Sequence, residues 1–163
     1  MRLKAFLQAS ILMGCAASSA IAAGSDSDEF QVSIEIQPAC EVTADNDLLF
    51  GTQSYLDQPI EGEVKFTIQC TADAEGIISL DAGTGTGSTT LRTMEYNGSE
   101  IEYALYKDAA YTAYWGDGVN GSTTVTHTGT GAETEYSIFA KTSAQGEPEA
   151  GIYTDTIEVS VEY

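Results

Sequence analysis

His127 is the only histidine among 163 residues, and histidine is the side chain whose ordinary titration suits acid–base work near neutral pH. It stands in Thr126-His127-Thr128-Gly129, a Thr/Gly-rich stretch that reads as an exposed turn. Triads assemble in space rather than in sequence, but no nucleophile elbow or comparable context accompanies it. A solvated loop histidine is the expectation. Gly83-Thr84-Gly85-Thr86-Gly87-Ser88 has the glycines of a phosphate loop without the lysine that reaches phosphate or a following helix. Asp117 and Asn120, set among glycines, match no EF-hand spacing and leave at most weak calcium binding. Trp115 with its neighbouring tyrosines offers a sugar-stacking platform or, more simply, the cap of a small β core. The residues predict no catalysis, no cofactor and no metal centre.

Cysteine gives a firmer reading. Beyond the leader two remain, Cys40 and Cys70, and in an oxidising compartment an isolated pair most simply forms one disulfide. Two thiols thirty residues apart with one distant histidine do not make a zinc site.

The leader itself reads as an export signal over residues 1–22. Arg2 and Lys4 form a basic start, Ala5 to Met13 is mostly apolar, and Ala20-Ile21-Ala22 supplies a small-x-small cleavage pattern. The apolar run is too short for a permanent anchor, so no stable membrane insertion is expected. Leu12-Met13-Gly14-Cys15 is a competing lipidation pattern, but cleavage there would leave Ala16 to Ala23 as an apolar stub. Removing 22 of 163 residues leaves 141, enough for one domain with a core. It also removes two of six basic residues and no acidic ones, so the balance becomes 4 against 25, or −21. Nucleic acid is excluded as a partner, because phosphate contacts need lysine and arginine.

The elements that would position these residues are almost all β. Val64, Phe66 and Ile68 alternate with Lys65, Thr67 and Gln69, and Gly76–Asp81 is a short apolar run. Asn97-Gly98 between Thr90–Tyr96 and Glu100–Tyr106 predicts a tight hairpin. Tyr136–Lys141 and Tyr153–Tyr163 complete the set, with Gly83–Thr90 and Gly116–Gly131 as long loops. No helical spacing persists over three turns, which favours an antiparallel sandwich. In the terminal strand Ile157, Val159, Val161 and Tyr163 share one face, and the strand lacks a visible partner. A separate alternating run, Phe30, Val32, Ile34 and Ile36, precedes Pro38 and looks like a spare strand. Together they predict a subunit completed by another copy, divided into an extension at 23–37 and a domain at 38–163.

Several ordered segments resemble the spore coat protein U family, which includes pilin subunits of archaic chaperone–usher fimbriae. These are Leu49-Phe50-Gly51, Leu91-Arg92-Thr93-Met94, Ile101 to Asp108, Trp115-Gly116-Asp117-Gly118 and Gly151 to Thr156. The chain departs from that pattern in its acidity and in Glu102. The resemblance implies an immunoglobulin-like sandwich lacking its last strand, completed by a donor strand from a neighbouring subunit. It implies export through the periplasm to the cell surface, with a periplasmic chaperone, an outer-membrane usher and identical or related pilins as partners. The donor would be Phe30, Val32, Ile34 and Ile36. The acceptor edge would be the strand carrying Ile157, Val159, Val161 and Tyr163. A fimbria so built would serve adhesion or biofilm formation, and a single-domain coat protein or adhesin is the alternative.

Overall fold

A computed structural model describes residues 24–163; the predicted signal segment, 1–22, lies outside the described residues. The chain divides after Ile34, and each part is described by itself. Residues 24–34 form no ladder, and Phe30, Val32 and Ile34 are all exposed. The alternation there prepares a strand, but a strand needs a neighbour to bond its backbone.

The second part holds eight strands: β1 (Cys40–Thr43), β2 (Glu61–Cys70), β3 (Glu75–Leu80), β4 (Arg92–Tyr96), β5 (Ser99–Tyr106), β6 (Val125–Thr128), β7 (Glu133–Thr142) and β8 (Val159–Glu162). No helix occurs among the described residues. One sheet has the order β1-β2-β7-β5-β4 and the other β6-β3-β8, and all named pairings are antiparallel. The sheets face each other across one core, in an immunoglobulin-like sandwich. Phe66 and Ile68 of β2, Ile138 and Ala140 of β7, and Tyr103 and Leu105 of β5 meet Ile78 and Leu80 of β3. Period two explains the assignment: in β2 the buried side chains are Phe66, Ile68 and Cys70, while their odd-numbered neighbours point out.

Cys40 and Cys70 are cross-strand partners in β1 and β2 and form a disulfide, with Cα atoms 4.1 Å apart. The Asn97-Gly98 hairpin joins β4 to β5, and both residues take the positive φ that such a turn requires, 50° and 80°.

Three expectations need correction. The predicted loop 116–131 contains β6, and His127 within it is a buried core residue rather than a solvated one. Its Nδ1 lies 2.9 Å from the Tyr136 hydroxyl, and its Nε2 is buried without a partner. The alternation Val125-Thr126-His127-Thr128 carried that strand, masked by threonines and flanking glycines. The terminal strand is shorter than predicted, because ladder pairing begins only at Val159. And the terminal strand has a neighbour on one side: Leu80 to Ile77 of β3 pair with Val159 to Glu162.

Candidate functional site

The site is the free edge of β8 and the core beside it. Neighbouring strands lie about 4.8 Å apart, so five strands span roughly two strand widths more than three. The three-stranded sheet alone is therefore narrower than the inner face of the larger one. Part of the surplus is met by the irregular segment before β2. Leu48 and Phe50 approach Gly62, and Phe50 stands edge-on to Tyr103 with ring centroids 6.1 Å apart. What remains is a rim of half-buried apolar groups packed against the core, including Val42, Leu48, Phe50, Val64, Ile157, Val159 and Val161.

On that rim β8 is an edge strand. It bonds to β3 on one side, and no strand among the described residues occupies the other. An edge with unpaired backbone groups above apolar side chains is a template for an added strand. Ile157, Val159 and Val161 share the inward face as the alternation requires. Tyr163 does not join them and is 60% exposed.

The approach to β8 is held by isolated backbone bonds and by side chains, without a continuous ladder. Thr154 exchanges backbone bonds with Glu95 at 3.0 and 3.3 Å. The Asp155 carboxylate then accepts from the Tyr103 hydroxyl (2.6 Å), the Thr84 amide (2.7 Å) and hydroxyl (2.8 Å), and the Thr156 amide (2.7 Å). Partial burial pushes its pKa up, but these four donors outweigh that and hold it below the usual carboxylate range. Burial raises the Tyr103 hydroxyl, and the adjacent carboxylate raises it further, so Tyr103 remains the donor. Asp81 fixes Glu158 twice, its carboxylate accepting from the Glu158 amide at 3.0 Å and its own amide donating to the Glu158 carbonyl at 3.2 Å.

Arg92 ties this region to the Trp115 motif. It is wholly buried, and its guanidinium donates to the carbonyls of Asp81 (Nε, 2.8 Å), Thr89 (2.8 Å) and Trp115 (3.1 Å). Burial depresses its pKa, and the surrounding acids partly offset this. Trp115 is buried in the core and its Nε1 donates to the Ile78 carbonyl at 3.4 Å. Gly116 is required by close approach, since a Cβ there would stand 2.6 Å from the Thr89 Cβ and 2.7 Å from that of Ser122. Asp117 Oδ1 accepts from Thr89 (3.1 Å), Ser122 (3.0 Å) and the Val119 amide (3.2 Å). Gly118 takes a φ of 82° in the turn. Trp115, Gly116, Asp117 and Gly118 thus form a structural corner, and a sugar platform cannot include Trp115. No cluster of three or more His, Cys, Asp or Glu suited to a metal occurs among the described residues.

Of the predicted donor residues, Phe30, Val32 and Ile34 belong to the first part of the chain and Ile36 to the second, and all four are exposed. Sequence reasoning missed Tyr103 and Asp155 as the clamp before β8. Their partnership spans 52 positions and has no local signal.

No curated protein matches the chain. Among solved structures it is similar to one chain of the CsuC–CsuE chaperone–tip adhesion subunit pre-assembly complex from archaic chaperone–usher Csu pili of Acinetobacter baumannii. The TM-score is 0.56 at 19% identity, covering 78% of this chain and 40% of that one. A chain from a chaperone–usher pilus structure aligns at a TM-score of 0.46 and 12% identity, covering 90% of this chain and 99% of that one. The first likeness bears on fold alone. The family model of the Spore Coat Protein U domain matches residues 26–160, and on that match the chain belongs to the Spore Coat Protein U domain family.

Proposed function

We propose that the chain is a structural, non-catalytic subunit of a cell-surface fimbria assembled by the chaperone–usher route. The observation that carries this reading is the free edge of β8 above the half-buried Ile157, Val159 and Val161. The family match and the pilus-derived fold neighbour support it. In this reading the subunit crosses the periplasm with a chaperone strand on that edge and exchanges it at an outer-membrane usher. The incoming strand is the Phe30–Ile36 segment of the next copy. Its four apolar side chains contribute about 6–12 kcal/mol gross at roughly 1.5–3 kcal/mol each, before the cost of ordering the segment. Each copy offers one donor and one acceptor, so the contact is head-to-tail and closes no ring. The resulting fibre serves adhesion or biofilm formation.

The test is a mature chain lacking residues 23–37. It should still bind a synthetic peptide spanning residues 24–37 but yield no multimers. Surface-sheared wild-type material should give a ladder of SDS-resistant multimers that collapses on boiling. Normal polymerisation of the truncated chain would overturn the reading.

A further inference from the structure

We propose that the Cys40–Cys70 disulfide shunts tension: a pull on the N-terminal extension enters the sandwich at β2 and bypasses β1 and the apolar rim beside β8. The inference rests on the fimbrial reading for the source of that tension, since a donor segment seated in a neighbour is pulled whenever the fibre is.

Chain order sets the problem. The extension leads through Pro38 and Ala39 into β1, a strand of only four residues at the margin of the five-stranded sheet. Residues 44–60 then form no named strand. Scattered backbone bonds hold them: the Gln145 amide donates to the Leu56 carbonyl at 2.8 Å and the Thr142 amide to the Ile60 carbonyl at 2.9 Å. A short edge strand followed by irregular chain belongs to the weakly held part of a fold. Yet Val42, Leu48 and Phe50, all in this stretch, belong to the rim beside β8. Drawn from its N-terminal end, β1 peels from β2 and takes these three side chains with it. A pull on a subunit's own donor would then undo its grip on the next one.

The disulfide sits where it prevents this. Cys40 is the first residue of β1, Cys70 is the last of β2, and the two are register partners. The bridge therefore crosses to β2 at the point where the extension arrives. Backbone bonds reinforce the junction, with the Thr71 amide donating to the Ala39 carbonyl at 2.9 Å and the Ala39 amide to the Thr71 hydroxyl at 3.2 Å. Cys70 is buried in the core, and β2 runs from it along the longest ladder among the described residues, Glu61–Gln69 against Glu133–Lys141. While the bond lasts, the closed loop 41–69 carries no tension, and Val42, Leu48 and Phe50 lie inside it. The junction also adjoins the edge it protects: a Cβ on Gly76 would stand 2.9 Å from Val161 Cγ2 and 3.9 Å from Cys40 Sγ. A disulfide anywhere restricts the unfolded chain. Only one at the entry of the first strand diverts a pull from it.

The test is force spectroscopy on the full mature chain, with one handle at its N-terminus and the other on an azide-bearing residue at position 97, the exposed tip of the β4–β5 hairpin. Oxidised wild type should yield with no earlier release. The Cys40→Ser/Cys70→Ser chain, its fold checked by circular dichroism, should first release residues 41–60 at roughly half that force or less, a gain of about 70 Å at ~3.5 Å per residue. Wild type reduced after folding should do the same. Oxidised Glu41→Pro keeps the bridge and weakens β1, because proline cannot donate to a ladder. Its yield force should match wild type. A bridgeless chain that yields in one step at the wild-type force, or a lowered yield in oxidised Glu41→Pro, overturns the proposal. A labelled peptide of residues 24–37, seated beforehand, should leave the bridgeless chain during the early release and stay on the oxidised chain. Retention through that release would show that the bridge does not protect the rim. A peptide that binds neither chain counts against the fimbrial reading, and the force comparison still decides this one.

Discussion

A single buried cation holds three loops of this sandwich in place. Arg92 satisfies carbonyls on Asp81, Thr89 and Trp115, the end of β3, the loop before β4 and the turn after β5. Its planar fork reaches several acceptors at once, and the lysine ammonium is a point donor that does not. Arg92→Lys therefore leaves at least two buried carbonyls unpaired, at about 1–3 kcal/mol each. The expected outcome is a loss of about 2–6 kcal/mol in urea denaturation of the purified chain, and a loss below 1 kcal/mol would remove Arg92 from this role. Asp155 gives a second residue-scale expectation, this time in pH. Its folded pKa lies below the unfolded value of about 3.9. Its contribution is therefore present above that value and lost as pH falls through the folded pKa. Asp155→Asn should be less stable than wild type at pH 7, and the gap should narrow as pH falls below the unfolded value and through the folded pKa. A constant gap across that range would mean that the hydrogen bonds, not the charge, carry the difference.

Element by element, the legible part of the sequence was where one residue type did one job. The Asn97-Gly98 hairpin was readable because its two positive φ angles suit those residues and few others. The alternations in β2 and β5 were readable because one face meets a core and the other meets water. The Cys40–Cys70 pair had no competitor. β1 carries no legible signal, since four residues, Cys-Glu-Val-Thr, hold only two periods of pattern. β6 was hidden because its inward positions hold Val125 and His127, and a histidine is a poor advertisement for a core. The terminal run reads longer than its ladder because residues 155–158 keep the alternation while the side chains of Asp155 and Asp81 and one backbone bond from Asp81 to Glu158 hold them. At the candidate site the apolar faces were legible and the clamp of Tyr103 on Asp155 was not. Period two reports which way a side chain points, and it is silent on what a side chain reaches across fifty residues.

Taken whole, the molecule is a two-sheet core beside an edge of β8 that no strand among the described residues occupies. If the segment Phe30–Ile36 fills that edge in a neighbour, its alternation sets a parity that mutation can read. Ile34 would face the dry groove and Ser33 the solvent, because successive side chains of a strand point to opposite sides. Ile34→Asp places a carboxylate among apolar groups with no partner, a burial penalised by several kcal/mol. It also forfeits about 1.5–3 kcal/mol of apolar burial. Ser33→Asp adds the same charge one residue away and leaves it in water. Both variants carry the same net charge, so general repulsion between subunits changes equally. The expected result is near-complete loss of SDS-resistant multimers for Ile34→Asp and a ladder close to wild type for Ser33→Asp. Equal loss in both would show that added charge, not groove parity, governs assembly. An undiminished ladder in Ile34→Asp would remove residues 30–36 as the donor and leave the edge of β8 to some other strand.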